Sequence, residues 1–230
     1  MCRVSSLSSQ DHLKATVAKK AVQLIKPQSW VGVGTGSTVN FFIDALAASG
    51  LPIKGAVSSS EASTQRLQGL GLRVFSIEEA PTLDVYVDGA DEIDPRGFMI
   101  KGGGAALTRE KIVAAQSKSF ICIVDQSKWV QTLGVFPLPV EIIPMAAPKL
   151  IERFKALGGQ ASVRLRDGLP LITDNQQHIL DVRGLQITDP LAFETLVNQW
   201  PGVITVGVFA NQKASICLLG TPEGVRTIEF

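Results

Sequence analysis

Asp88, Asp91, Lys101 and Glu110 fall in two short runs, DVYVDGADEID at 84–94 and KGGGAALTREK at 101–111, which bring carboxylates, ammonium groups and bare glycine backbone close together in the chain. That mixture suits proton transfer on an anionic substrate, because carboxylates exchange protons and a cation beside unhindered N–H groups stabilises a developing oxyanion. Asp88 and Asp91 follow the apolar strand VYV, which places them at a strand's C-terminal end, where open α/β sheets hold their ligands. Gly89 and Ala90 keep that turn uncrowded; acidic residues after a strand are equally common as turn and cap residues. Lys101 followed by Gly102, Gly103 and Gly104 sets a positive charge beside exposed N–H groups, the alternative being a flexible loop with a solvated lysine. Glu110, between Arg109 and Lys111, has by itself the pattern of a solvated helix face, so its interest comes from its neighbours.

A third run, VGVGTGST at 31–38, adds a phosphate-sized cradle: alternating Gly32, Gly34 and Gly36 let backbone N–H groups approach a ligand at a helix N-terminus, and Thr35, Ser37 and Thr38 bring hydroxyls. Ser37 stands where the third glycine of G-x-G-x-x-G belongs, and no GK[ST] is present, which disfavours a dinucleotide or triphosphate and favours a single phosphate. The same residues would also make a tight βα turn with a hydroxyl helix cap. SSSEAST at 58–64 reads as ordinary helix capping, with Ser58 and Glu61 at capping-box spacing, and has no catalytic role in this reading. Asp125 and Lys128 in VDQSKW follow the strand FICIV, a second strand end where a cation could bind phosphate.

With 22 Lys plus Arg against 21 Asp plus Glu, the formal charge of +1 sets up no global field to attract a polyanion, so nucleic acid is not an expected partner. MCRVSSLSSQD lacks the apolar core of a secretion signal, and no run reaches the roughly 20 apolar residues of a membrane span; the expectation is a cytoplasmic protein. Cys2, Cys122 and Cys217 are scattered, without zinc-site or disulfide spacing, and Cys122 and Cys217 read as buried strand residues. His12 and His178 stand far apart, leaving little for a histidine metal site or a Ser-His-Asp triad.

These residues need a frame to hold them. Apolar positions recur at helical spacing over 12–25, and a strand at 30–33 then leads through the glycine turn into a helix ending at Gly50. Strands at 53–57, 72–75, 83–88 and 120–124 alternate with helices, one of them at 107–116, as in a Rossmann-like doubly wound parallel sheet. Four prolines in FPLPVEIIPMAAP mark a boundary, after which strands at 140–143, 161–165, 179–182 and 203–209 and helices at 149–157 and 191–199 give βαββαβ, a ferredoxin-like pattern. A last strand at 215–219 could rejoin the first sheet. The expected organisation is α/β: a catalytic part from residues 1–135 and 208–230, and a small α+β part from residues 136–207.

Taken together, VGVGTGST, VSSSEAST, YVDGADEID, KGGGAALTREK, DQSK, FPLPVEIIPMA and GVFAN resemble the type A ribose-5-phosphate isomerases, in order and over nearly the whole chain from about residue 10. The resemblance implies interconversion of ribose 5-phosphate and ribulose 5-phosphate through an enediolate, in the non-oxidative pentose phosphate pathway, without metal or cofactor and in a homodimer or tetramer, of which the dimer is expected here. It implies that Glu110 is the base, that Lys101 and Gly102–Gly104 face the enediolate oxygens, and that Asp88 and Asp91 contact sugar hydroxyls and assist ring opening. It further implies substrate binding by Thr35, Gly36, Ser37, Thr38 and Lys128, and a phosphate contact by Lys14. The chain departs from the family pattern in an N-terminal extension at 1–9 and a slightly long stretch, RLRDGLPL, at 164–171.

Overall fold

The computed structural model describes residues 8–230, so residues 1–7 of the N-terminal extension, with Cys2, lie outside the described residues. The first part of the chain forms α1 (Ser9–Leu24), β1 (Trp30–Val33), α2 (Ser37–Ser49), β2 (Gly55–Ser58), α3 (Glu61–Gly69), β3 (Val85–Asp88), β4 (Glu92–Ile93), β5 (Met99–Ile100), α4 (Leu107–Ala115) and β6 (Phe120–Asp125). There follow β7 (Leu138–Ile142), α5 (Ala147–Ala156), β8 (Gln160–Val163), β9 (Leu165–Arg166), β10 (Leu169–Pro170), β11 (His178–Arg183), α6 (Pro190–Asn198), β12 (Val203–Val206), β13 (Val208–Phe209), β14 (Ile216–Thr221) and β15 (Gly224–Glu229).

The main sheet runs β15-β14-β6-β3-β1-β2, parallel except for β15, which returns antiparallel along β14. Its inner parallel strands are covered on both faces and therefore read as largely apolar runs, whereas the edge strand β15 is mostly exposed. Val31, Val33, Val87 and Ile123 pack under α1 and α2 with Ala21, Phe42 and Leu46, while Tyr86, Cys122 and Val124 face α4 with Leu107 and Val113. Burying a side chain such as Phe42 contributes about 2–3 kcal/mol, which holds α2 against this face of the sheet. Cys122 and Cys217 are both free, buried and register partners on β6 and β14. Among the described residues no helix is long and apolar enough to cross a membrane.

The second sheet has the order β12-β7-β11-β8, antiparallel throughout, with α5 packing on β8 and α6 on β12: the βαββαβ arrangement. Asp189 caps α6 by accepting from Ala192 N at 3.1 Å, and Pro190 opens the helix.

Three sequence expectations change. The strand expected at 72–75 is a single bridge, Ala56 to Val74. The helix cap in SSSEAST is Ser60, whose hydroxyl accepts from Ser63 N at 3.1 Å, because Ser58 instead bonds the Ser60 backbone. The strand expected at 203–209 breaks at Gly207: β12 stays in the second sheet and β13 joins β5 and β4 in a three-stranded sheet. Gly207 donates to Pro139 O at 2.7 Å and accepts from Lys101 N at 2.9 Å, so the crossing point holds the backbone of Lys101. The hairpin strand β15 had no counterpart in the expected elements.

Candidate active site

Parallel pairing puts the ends of β1, β3 and β6 at one edge of the main sheet, and the turns that leave them meet there. The resulting cleft, of about 170 Å³, is lined by Lys14, the Thr35–Thr38 turn, Gly89–Asp91, Lys101–Gly104, Glu110 and Lys128. That volume is well under the roughly 300–1,000 Å³ typical of pockets for drug-sized ligands and suits a small polar molecule.

Asp88, the last residue of β3, is fully buried and stands behind the cleft wall. Its Oδ1 accepts from Thr35 N at 3.2 Å and Gly89 N at 2.7 Å, and its Oδ2 from Tyr86 Oη at 2.5 Å and Lys101 Nζ at 2.6 Å. Burial, then the adjoining Asp88 charge, pushes the Tyr86 phenol well above its ordinary value, so it remains a donor. Gly34 has to be glycine, since a Cβ there would fall inside the Asp88 carboxyl group.

Lys101 follows β5, and its buried ammonium donates to Asp88 and to Gly89 O at 2.7 Å. Burial alone would favour the neutral amine; the charges of Asp88 and then Glu110 outweigh it, so the pKa is raised and the cation is secure. Glu110 lies in the first turn of α4 with only 2 % of its surface exposed. Its Oε2 lies 3.1 Å from Lys101 Nζ but off any hydrogen-bond direction, and has no hydrogen-bond partner among the described residues. Burial, only partly offset by Lys101 and aided by the Asp88 charge, pushes its pKa up to about 8. A carboxyl group so tuned can both take and return a proton near neutrality.

The rest of α4 explains why Glu110 points inward although its neighbours are charged. Arg109 turns outward to Glu61 at 2.8 Å and Asn175 at 2.9 Å. Lys111 reaches Glu194 of α6 at 2.5 Å and the carbonyls of Val206 and Val208, while Thr108 bonds the buried Glu141 of β7. Three residues around Glu110 are thus tied to other elements, which fixes the helix rotation.

Asp91 receives Gly103 N on Oδ2 at 2.8 Å; burial raises its pKa, against the pull of that N–H and of Lys101. Gly36, also lining the cleft, caps α2 with φ 115° and no side-chain cap, leaving first-turn N–H groups able to meet an anion. Ser60 Oγ lies 2.8 Å from Thr35 Oγ1, and Ser63 Oγ donates to Gly34 O at 2.7 Å, so SSSEAST buttresses this turn. Lys14 and Lys128 line the same cleft. Asp125, expected at a strand end of this crevice, also lines the cleft, as does Gln10, which was not expected there and donates to Asp125 at 3.2 Å. Partial burial opposes the Asp125 charge, but Ser127 and Gln10 hold its pKa below the ordinary value.

The structure therefore brings the expected residues to one cleft, with Asp88 as the exception: saturated by four donors behind the wall, it is not placed to touch a sugar hydroxyl. Among the described residues no group of three or more His, Cys, Asp or Glu is placed to hold a metal ion.

Residues 55–224 match the family model described as ribose 5-phosphate isomerase A (phosphoriboisomerase A). A ribose-5-phosphate isomerase A of Albidiferax ferrireducens is 67% identical over 222 residues, which is 96% of this chain and 95% of the relative; that of a Polaromonas species is 65% identical over 226 residues, 96% and 94%. The crystal structure of ribose 5 phosphate isomerase A from Neisseria gonorrhoeae superposes with a TM-score of 0.93 at 44% identity, covering 97% of this chain and 99% of that one. A D-ribose-5-phosphate isomerase in complex with phospho-erythronic acid superposes with a TM-score of 0.93 at 37% identity, covering 97% and 100%. On a matching family model, high identity over nearly its whole length and a shared fold, the chain belongs to the ribose 5-phosphate isomerase A family.

Proposed function

We propose that the cleft interconverts ribose 5-phosphate and ribulose 5-phosphate, the reaction of the family, with Glu110 as the single base. The observation that carries this assignment is the buried Glu110 carboxyl group, unbonded at Oε2, raised in pKa and 3.1 Å from the Lys101 ammonium. With the open-chain aldose bound, Glu110 removes the proton from carbon 2, and the electron pair moves onto the carbon 1 oxygen. Lys101 and the glycine-loop N–H groups meet that developing charge. Glu110 then returns the proton to carbon 1 on the same face of the cis-enediol, while a proton moves from the carbon 2 hydroxyl to the carbon 1 oxygen. Positioned general-base catalysis of this kind contributes about 10²- to 10⁴-fold.

Asp91, whose carboxyl group holds its proton more readily than an ordinary aspartate, exchanges protons with the sugar during ring opening. Asp88 acts through Lys101, which it holds and keeps charged. The phosphate sits at the α2 N-terminus with Thr35–Thr38, Lys14 and Lys128, and its binding energy holds the reacting carbons in place. The phospho-erythronic acid of the solved relative has two anionic ends, as the enediolate of a pentose phosphate does, and Lys14, Lys101 and Lys128 all line this cleft.

The site falls in the larger part of the proposed two-part division, residues 1–135 with 208–230, and the smaller part, 136–207, supplies buttresses such as Glu141 and Glu194. A homodimer in the cytoplasm belongs to the same reading, the dimer being checked by sedimentation. Turnover in D₂O tests the chemistry: deuterium should enter the transferred position of product and recovered substrate. Deuterium there would show proton transfer; complete retention of protium together with near-normal turnover by Glu110→Gln would indicate a hydride shift and remove Glu110 from the mechanism.

A further inference from the structure

Arg164 belongs to neither of the runs that form the cleft. It follows β8 in the second sheet, at the start of the stretch that is long for the family, and its backbone is pinned by Arg164 N to Ile179 O at 2.8 Å and Leu171 N to Arg164 O at 2.9 Å. Its Nε and Nη2 donate to the two oxygens of Asp181 on β11, at 2.9 and 2.5 Å. The remaining nitrogen, Nη1, donates to Gly102 O at 3.1 Å and to Gly103 O at 2.9 Å. One guanidinium, aimed by a bidentate carboxylate, thus holds two successive carbonyls of the loop that follows Lys101.

Peptide planarity turns that grip into an orientation. In a trans peptide the C=O and the next N–H point opposite ways. With Gly102 C=O drawn to Arg164, Gly103 N–H must point away from it, and it meets Asp91 Oδ2 at 2.8 Å. With Gly103 C=O drawn the same way, Gly104 N–H must also point away from Arg164; Gly104 lines the cleft and its N–H has no protein acceptor among the described residues. Three consecutive glycines have little intrinsic preference for either orientation of these planes. Ala105 N also donates to Gly102 O at 2.9 Å, so the loop's own turn shares in fixing the first plane, while the Gly103 carbonyl is held by Arg164 alone among the described residues.

We infer that Arg164, aimed by Asp181, is a positioning residue that sets the two glycine peptide planes so that Gly104 N–H serves the enediolate oxygen and Gly103 N–H anchors Asp91. The second sheet thereby takes part in catalysis without touching substrate. This rests on the assignment of Lys101 and the glycine loop to the oxyanion side of the cleft. Lysine is a poor substitute, because a point charge cannot hold two carbonyls and a bidentate carboxylate in one plane.

The experiment is steady-state kinetics of Arg164→Met, Arg164→Lys and Asp181→Asn, with Arg166→Met as a control of equal charge change on an exposed neighbour. Arg164→Met should lose about 10- to 100-fold in kcat, below the 10²- to 10³-fold that removal of a whole oxyanion donor costs, with KM changed less than about threefold. Arg164→Lys and Asp181→Asn should fall between it and wild type, Arg166→Met should match wild type, and millimolar guanidinium should restore part of the kcat of Arg164→Met. A purely structural role would lower the melting temperature without that kcat loss or that rescue. Wild-type kcat in folded Arg164→Met overturns the inference, and if that variant does not fold, wild-type kcat in Asp181→Asn does the same. A Glu110→Gln variant run alongside separates the two claims: its inactivity with an unaffected Arg164→Met sinks only the positioning role, whereas an active Glu110→Gln sinks the mechanism on which it rests.

Discussion

Replacing Asp88 with asparagine should make Glu110 a stronger acid, although the two residues do not touch a common proton. Asp88 Oδ2 and Glu110 Oε2 lie 2.6 and 3.1 Å from the same lysine nitrogen, so they are at most about 5.7 Å apart. Two like charges at that separation repel by about 3 kcal/mol at an effective dielectric near 20, equivalent to about 2 pKa units. With the aspartate charge gone, the full field of Lys101 falls on Glu110, whose pKa should drop from about 8 toward about 6. If the ionised carboxylate is the base, kcat/KM rises with pH up to that pKa, so the acid limb should move from near pH 8 in the wild type to near pH 6. The plateau should fall about tenfold, since a weaker base removes a carbon-bound proton more slowly. The side chain keeps its shape, but its amide nitrogen faces Lys101 or Tyr86 as a second donor, costing about 1–3 kcal/mol of stability in a thermal melt. The assay is initial-rate isomerisation across roughly pH 5 to 9.5, read through the free-enzyme limb of kcat/KM. An acid limb that stays near 8, or moves higher, would refute the electrostatic account of this triad.

Lys101→Met should do the opposite to the limb: the lysine charge opposes the burial of Glu110, so removing it moves the limb above 8, while kcat drops about 10²- to 10³-fold. Gly34→Ala drives a methyl group into the Asp88 carboxyl and should destabilise the fold by about 3 kcal/mol, seen as a lower melting temperature, because Asp88 must leave Lys101 and its other donors. Lys14→Ala and Lys128→Ala should each raise KM about tenfold with a smaller effect on kcat, and the affinity lost should shrink at high salt, as expected of contacts to a charged phosphate. A drop in kcat with KM unchanged would place those lysines at the reacting carbons instead.

The periodic parts of this fold are legible in the chain. Helical spacing marks α1, α4, α5 and α6 to within a few residues, and the glycine turn announces the β1–α2 junction with its uncapped helix N-terminus. What periodicity cannot show is the sheet of two-residue strands β4, β5 and β13: such short strands carry no alternation, and their pairing depends on the crossing at Gly207. The site divides the same way. Asp91 is visible from residue type and strand-end position and Lys101 from the glycines beside it, whereas Glu110 alone reads as a solvated helix face and is singled out only by the family resemblance; its burial follows from Thr108 and Lys111 being tied to Glu141 and Glu194, residues far away in sequence. Asp88 looked like a ligand contact because its run ends a strand. Only the four donors around it show that it faces inward, and of these the Tyr86 hydroxyl, two residues back on the same strand, was a readable signal. Gln10 was readable too, one helical turn before Lys14 and so on the same face of α1. Arg164 had no local signal at all.

The central claim is that Glu110 moves the proton, and the most direct test is conversion of ribose 5-phosphate to ribulose 5-phosphate by the purified protein, with EDTA present and no added cofactor, beside Glu110→Gln. Conversion should be rapid in the wild type and fall by several orders of magnitude in the variant with substrate affinity retained; near-normal turnover by a folded Glu110→Gln would contradict the assignment of Glu110 as the base.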